Sequence, residues 1–277
     1  METWSRSALK WVDSLNKNWW KTFFKPLTAE VMFKHREGRI TKSEVDKVLA
    51  EMNSQKKMNI LDLCCGEGRH SLLFAKKHSV MGLDYSKDFL KVANAKLKKS
   101  KSLQKNLKFI HGNMKFTSKY VPNNHFDLVT SMYNSFGYFD TRAEDFKVLQ
   151  EVNAVLKVGG HFVVNTLNGH GVAFHIGDQK PTGIGSEVEK NLFILDNAYL
   201  DKKSMRTYSD WKIIDARTSK TKIFRGHFIQ NVYTHKELQS LLKKAGFKIV
   251  KTWGALHGTD FDEKTSWHQT ILAKKIE

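Results

Sequence analysis

A short apolar run, Met58–Leu63, breaks into a turn with glycines at 66 and 68 and passes at once into residues with helical spacing. A buried strand feeding a glycine turn and then a helix is the unit of parallel sheets, because parallel neighbours need a crossover connection. The unit repeats. Residues 69–77 suit the first helix, Val80–Asp84 a second strand, and residues 86–99 a helix with Phe89, Leu90, Ala93 and Leu97 on one face. Leu107–His111 and Phe126–Met132 read as strands three and four. Helix 141–156 follows, with Gly159 and Gly160 as its stop, and Gly160–Leu167 is strand five. The pattern predicts an α/β fold: a doubly wound, Rossmann-like, mostly parallel sheet with helices on both faces.

The flanking segments differ. Residues 1–55 read as a helical cover. In it Thr41 and Glu44 form a capping box ahead of Val45, Val48, Leu49 and Met52, and Trp19, Trp20, Phe23 and Phe24 cluster upstream. Between 168 and 233, Asn191–Leu200, Ser204–Ile214 and Lys222–Tyr233 alternate apolar and polar residues, as antiparallel strands with one wet face do. A second capping box, Thr234 with Glu237, opens helix 235–245. Phe247–Trp253 and His268–Ala273 then form a terminal pair with an antiparallel last strand. The expected organisation is a core of residues 56–167 and 234–277, with 168–233 as an antiparallel β insertion between strand five and the last helix. That insertion would rise over the ligand edge of the sheet, or else serve as a homodimer face.

Composition narrows the classes. The two cysteines, Cys64 and Cys65, are adjacent, which excludes a disulfide framework and a cysteine-based zinc site. No apolar run is long enough to span a membrane, and the first twenty residues lack an apolar signal core, so a cytoplasmic protein is expected. The formal charge of +18 invites a nucleic-acid partner. The lysines are spread along the chain, however, with only a modest concentration at Lys96–Lys101, so a solvated surface is the preferred reading.

The chemistry concentrates at the ends of the first two strands. Glycines at 66 and 68 let a ligand approach backbone where a Cβ would block it. In an open α/β sheet that turn lies at the carboxyl ends of the strands, where ligands bind. Asp84 ends the next strand, where a carboxylate meets a ribose diol, and Ser86 is free to cap the following helix. The third glycine of a dinucleotide fingerprint is missing (Ser71 stands there), and no P-loop occurs. Asp62, four residues before Gly66, suits a ligand bearing an ammonium group.

Asp62, Gly66 and Gly68 match a D-x-x-x-G-x-G pattern. With Asp84, with His111–Met114, and with Leu156–Val164 leading into strand five, the chain resembles the class I S-adenosylmethionine-dependent methyltransferases over about residues 56–167. More narrowly, residues 64–71 (CCGEGRHS) and 134–139 (NSFGYF) resemble a bacterial subgroup that acts mostly on small molecules. The resemblance implies S-adenosylmethionine as cofactor and a small-molecule acceptor methylated on N, O or C. It implies that Asp62 holds the methionyl ammonium, that Cys64, Cys65 and Gly66 approach the methionine portion, and that Gly68 opens the helix beside it. Asp84 would bind the ribose hydroxyls, Tyr85 the adenine face, and Asn113 and Met114 its edge. Arg36 and Arg69 are candidates for the methionine carboxylate. Tyr133, Phe136 and Tyr138 would face the sulfonium, with Tyr138 the candidate catalytic residue. Two positions depart from many relatives, which have glycine at Cys64 and aspartate at Asn113. His70 reads as a packed histidine, and His125, His170 and His257 as structural. His170, His175 and Asp178 lack metal-ligand spacing, so no metal is expected. Two alternatives stand beside this reading: an RNA methyltransferase, and a fold that binds the cofactor without catalysis.

Overall fold

A computed structural model describes residues 15–34, 38–54, 56–176 and 183–276. Among the described residues three helices precede the sheet: α1 (Trp20–Phe23), α2 (Pro26–Phe33) and α3 (Arg39–Met52). The alternating core follows as β1 (Asn59–Leu63), α4 (Arg69–Phe74), β2 (Ser79–Asp84), α5 (Lys87–Lys99), β3 (Leu107–His111), β4 (Phe126–Ser131), α6 (Arg142–Val155) and β5 (Leu156–Leu167). Next come α7 (Gly169–Ile176), β6 (Gly183–Glu189), β7 (Leu192–Asp201), β8 (Arg206–Asp215) and β9 (Lys222–Asn231). The chain closes with α8 (His235–Lys244), β10 (Phe247–Trp253) and β11 (His268–Lys275).

The main sheet has the order β10-β11-β5-β4-β1-β2-β3. The pairs among β5, β4, β1, β2 and β3 are parallel, and β11 runs antiparallel to both of its neighbours. The expected mostly parallel, Rossmann-like sheet with an antiparallel last strand is therefore present. Its faces are covered by different helices. Val148, Leu149 and Val152 of α6 pack with Leu238 and Leu242 of α8 on one side. Val45 and Val48 of α3, Phe74 of α4 and Leu97 of α5 pack on the other. The second sheet is an antiparallel meander, β6-β7-β8-β9. Among the described residues no helix is long and apolar enough to cross a membrane.

Several local expectations need correction. Thr41 and Glu44 do not cap a helix: α3 begins at Arg39, and both residues sit inside it, buried. Gly159 and Gly160 do not stop a helix, because α6 already ends at Val155. They lie inside β5 where its pairing with β4 shifts register, and a Cβ on Gly160 would come within 3.0 Å of the Phe126 carbonyl. Within the expected antiparallel insertion, strand β6 is a fourth strand ahead of the three expected, and helix α7 was not expected. The box at Thr234 and Glu237 does cap α8, with the Glu237 N–H donating to Thr234 Oγ1 at 3.2 Å.

Candidate active site

The carboxyl ends of β1, β2 and β3 meet at the turn after β1. Cys64, Gly66 and Gly68 all adopt left-handed φ values, of 60°, 56° and 77°. The turn is pinned to β2 by the Cys65 N–H, which donates to the Leu83 carbonyl at 3.1 Å. Asp84 completes it: one carboxylate oxygen accepts from the Gly66 N–H at 2.8 Å, the other from the Ser86 N–H at 2.7 Å. Burial pushes the Asp84 carboxyl up to about 6 despite those two donors. Ser86 caps α5 through the Phe89 N–H at 3.2 Å, as its position suggests, and its own hydroxyl donates to the Phe24 carbonyl at 2.8 Å. That bond ties the segment between α1 and α2 to the mouth of the site.

A cavity of about 670 Å³, its open mouth included, lies over this edge. Cys64, Gly66, Asp84, Tyr85, Asn113 and Met114 line it, together with Tyr133 and Tyr138. Tyr85 is held edge-to-face against Trp20 at 4.7 Å. Asn113 caps the turn after β3, its Oδ1 accepting from the Lys115 N–H at 2.9 Å. Met114 packs its sulfur 3.3 Å from that of Cys64. Burial and the nearby carboxylates push both cysteine thiols up, so they stay protonated and act as packing groups rather than nucleophiles.

Other expected residues lie elsewhere. Asp62 is buried behind the turn, accepting from the Ser71 hydroxyl at 2.5 Å and the Thr130 hydroxyl at 3.1 Å, and it does not line the cavity. Gly68 does not line it either; a Cβ there would strike the Phe109 ring at 2.5 Å, so this glycine serves helix packing. Arg36 falls outside the described residues.

Arg69 lines a small adjoining cavity with Cys64, Cys65, Gly66 and Tyr133. Its Nη1 donates to Thr41 Oγ1 at 2.9 Å and to Glu44 Oε2 at 2.7 Å, and its plane lies 5.1 Å from the Tyr133 ring centroid. Among the described residues its buried Nη2 has no hydrogen-bond partner. Glu44 also meets His70 Nε2 at 2.7 Å. Burial raises the Glu44 carboxyl, but the His70 bond and the Arg69 charge outweigh it and hold the group below its usual range. His70 is pushed down, chiefly by burial, and is a neutral packed histidine. Thr41 and Glu44 thus hold the Arg69 guanidinium, a contact that the sequence did not reveal. Their signal was two polar residues three apart on the apolar face of a helix.

The segment after β4 forms the opposite wall. Tyr133 and Asn134 are both left-handed, with φ of 58° and 62°. Asn134 Oδ1 accepts from the Leu167 N–H at 3.0 Å and from Gln230 Nε2 at 2.7 Å, so one side chain ties this segment to β5 and β9. Tyr138 packs edge-to-face on Trp19 at 5.1 Å. Burial pushes its phenol well above the ordinary range, which suits a wall or a hydrogen-bond donor and not a base at neutral pH. Beyond Tyr138 opens a second cavity of about 790 Å³, to which β8 contributes Trp211 and β9 contributes Phe228. No cluster able to hold a metal occurs among the described residues.

This sheet order, with a glycine turn and an acid on adjacent strand ends, defines the class I methyltransferase architecture. Residues 54–246 match the family described as the methyltransferase domain, and the chain belongs to that family. It is 37% identical over 114 residues to a demethylmenaquinone methyltransferase of Listeria welshimeri, covering 39% of this chain and 44% of that protein. The chain thus matches under half the length of that relative. Among solved structures, it superposes on the CcbJ methyltransferase of Streptomyces caelestis with a TM-score of 0.78 at 15% identity, covering 95% of this chain and 100% of the other. The SAM-bound amino pentose methyltransferase CalS10 of Micromonospora echinaspora gives 0.65 at 18% identity, covering 90% and 97%. At these identities the two superpositions establish the shared fold.

Proposed function

We propose that the protein is an S-adenosylmethionine-dependent methyltransferase acting on a small-molecule acceptor at N, O or C. The observation that carries this reading is that Asp84 and the Gly66 backbone line one apolar cavity while Arg69, whose Nη2 has no partner among the described residues, lines the cavity adjoining it. Two of these side chains fit polar parts of the cofactor. Asp84 suits the ribose hydroxyls as a carboxylate acceptor. Arg69 offers a guanidinium N–H to the methionine carboxylate while Glu44 fixes its plane. Tyr85 offers a ring to the adenine, with Asn113 and Met114 at its edge. Asp62 would act on the ammonium only through Ser71, Thr130 or a rearrangement of the turn.

The bound cofactor would supply an electrophilic methyl group on a good leaving group. The chain's own work is then to orient the acceptor and exclude water. Trp20 of α1, Phe24 between α1 and α2, and Met32 of α2 roof the site, and Tyr133 and Tyr138 wall it. Aromatic faces of this kind favour a sulfonium cation. An enclosed, mostly apolar site supports a small acceptor over an extended polymer.

Titration calorimetry tests the reading. S-adenosylhomocysteine should bind and NAD should not bind comparably. Asp84→Ala should weaken binding by about 1.5–3 kcal/mol, the usual worth of hydrogen bonds to a charged group. Unchanged affinity in that variant would remove Asp84 from the site, and no S-adenosylhomocysteine binding by the wild type would remove the cofactor.

A further inference from the structure

We infer that the second cavity is the acceptor subsite and that it takes a flat, uncharged aromatic compound. The inference rests on the methyltransferase reading above and names the class of acceptor. Continuity comes first. Phe24, Met32, Tyr133 and Tyr138 line both cavities, so a compound in the second would lie against the same side chains as the cofactor in the first.

The walls come next. Trp19, Tyr138, Trp211 and Phe228 surround the space, and they are braced against one another. Trp19 lies 5.9 Å from Phe228 and 5.1 Å from Tyr138, and Trp211 lies 6.0 Å from Phe228. Rings held by other rings form a stiff slot, which favours a rigid planar guest over a flexible chain. The space measures about 790 Å³ with its open mouth included.

The polar inventory decides charge. Among the described residues lining this cavity there is no Asp, Glu, Lys or Arg. The one amide on its wall, Asn134, is already engaged by Gln230 and by the Leu167 N–H. The Tyr138 hydroxyl keeps its proton. A buried ammonium would find ring faces but no counter-ion, and ring faces do not replace a lost hydration shell. A protonated amine also lacks the lone pair that a displacement requires. A polar substituent of a neutral guest can meet the Tyr138 hydroxyl or reach the rim, where Trp267 is 37% exposed beside His268.

The test uses the full chain saturated with S-adenosylhomocysteine at pH 7, with two probes of equal ring size, 1-naphthol and the protonated 1-naphthylmethylamine. Binding of 1-naphthol is expected, with the amine at least tenfold weaker. Trp211→Ala and Trp267→Ala should each weaken 1-naphthol by roughly tenfold and leave S-adenosylhomocysteine affinity unchanged. Trp267 is exposed enough for its variant to fold even if Trp211→Ala does not. An amine that binds as well as the naphthol overturns the inference, as does 1-naphthol binding that neither variant weakens. If S-adenosylhomocysteine binds and 1-naphthol does not, the acceptor inference alone fails. If S-adenosylhomocysteine itself does not bind, the methyltransferase reading fails.

Discussion

Asp84 serves two ends that oppose each other. Its carboxylate pins the Gly66 turn through backbone N–H groups, yet burial holds its pKa up at about 6 against an ordinary 3.8. A carboxyl whose pKa is raised by folding binds its proton more tightly in the folded state. Its cost to stability is therefore fully present above pH 6 and is relieved as pH falls from 6 toward 4. Two units correspond to about 3 kcal/mol, as an order of magnitude. Ribose hydroxyls donate, so they favour the ionised form. Affinity for S-adenosylhomocysteine should then rise roughly tenfold between pH 5 and pH 7, and Asp84→Asn should flatten that rise. Asp145, also raised to about 6 by burial, does not line either cavity and should not contribute to the slope. Isotherms at three pH values check this, and a flat wild-type profile would count against a titrating Asp84 at the ribose. Asp84 was readable in the sequence because its place depends on strand order alone. Glu44 was not. The spacing S/T-x-x-E that caps a helix start also places two residues on one face within a helix, and only the fold distinguishes the two.

At the scale of elements, the junction between the two sheets rests on Gly137. Its φ is 99°, its carbonyl accepts from the Asn231 N–H at 2.7 Å, and a Cβ would lie 2.4 Å from the Asn231 carbonyl oxygen. Asn231 in turn donates to Asp145, which also accepts from the Tyr233 hydroxyl, both at 2.7 Å. Gly137→Ala should therefore destabilise the protein by about 2 kcal/mol or more, since both the backbone conformation and the contact oppose the methyl group. Thermal unfolding would measure this, and limited proteolysis should show β6–β9 cut first. A variant that melts with the wild type would show that the junction yields at little cost. Strands β7, β8 and β9 were legible from their alternation. Helix α7 was not, because its glycines resemble a loop. A Cβ on Gly171 would come within 1.8 Å of the Ser266 carbonyl, so glycine is there for close packing against the segment before β11. Strand β6 carries Gly183 and Gly185, and its alternation is too weak to stand out.

The whole molecule is held closed by rings. Phe23 lies 5.4 Å from Trp211 of the second sheet, and Trp20 lies 4.7 Å from Tyr85 at the edge of the first, so α1 bridges the two sheets over the cavities. An exposed ion network, Arg217 with Glu30 and Asp215 and Lys34 with Glu189, runs alongside. Solvent and salt screen such pairs, and the aromatic packing dominates. The same closure bears on the charge of +18. Among the described residues, Arg69 and Lys96 are the Lys and Arg side chains that line the cavities over the site, and they pair with Glu44 and Glu67. Among the described residues that line those cavities, no Lys or Arg is left over to draw a polyanion toward the site. A 20-nucleotide RNA should accordingly bind weakly and without sequence preference. Its affinity should fall by about three-hundredfold or more between 50 and 200 mM salt if six or more phosphates of the single strand are contacted. Binding of S-adenosylhomocysteine in the apolar site should change little over that range. Filter binding and calorimetry across a salt series compare the two directly. A tight, sequence-selective RNA complex at physiological salt, with methyl transfer to it, would instead make RNA the substrate and the aromatic cavity a pocket for a single flipped base.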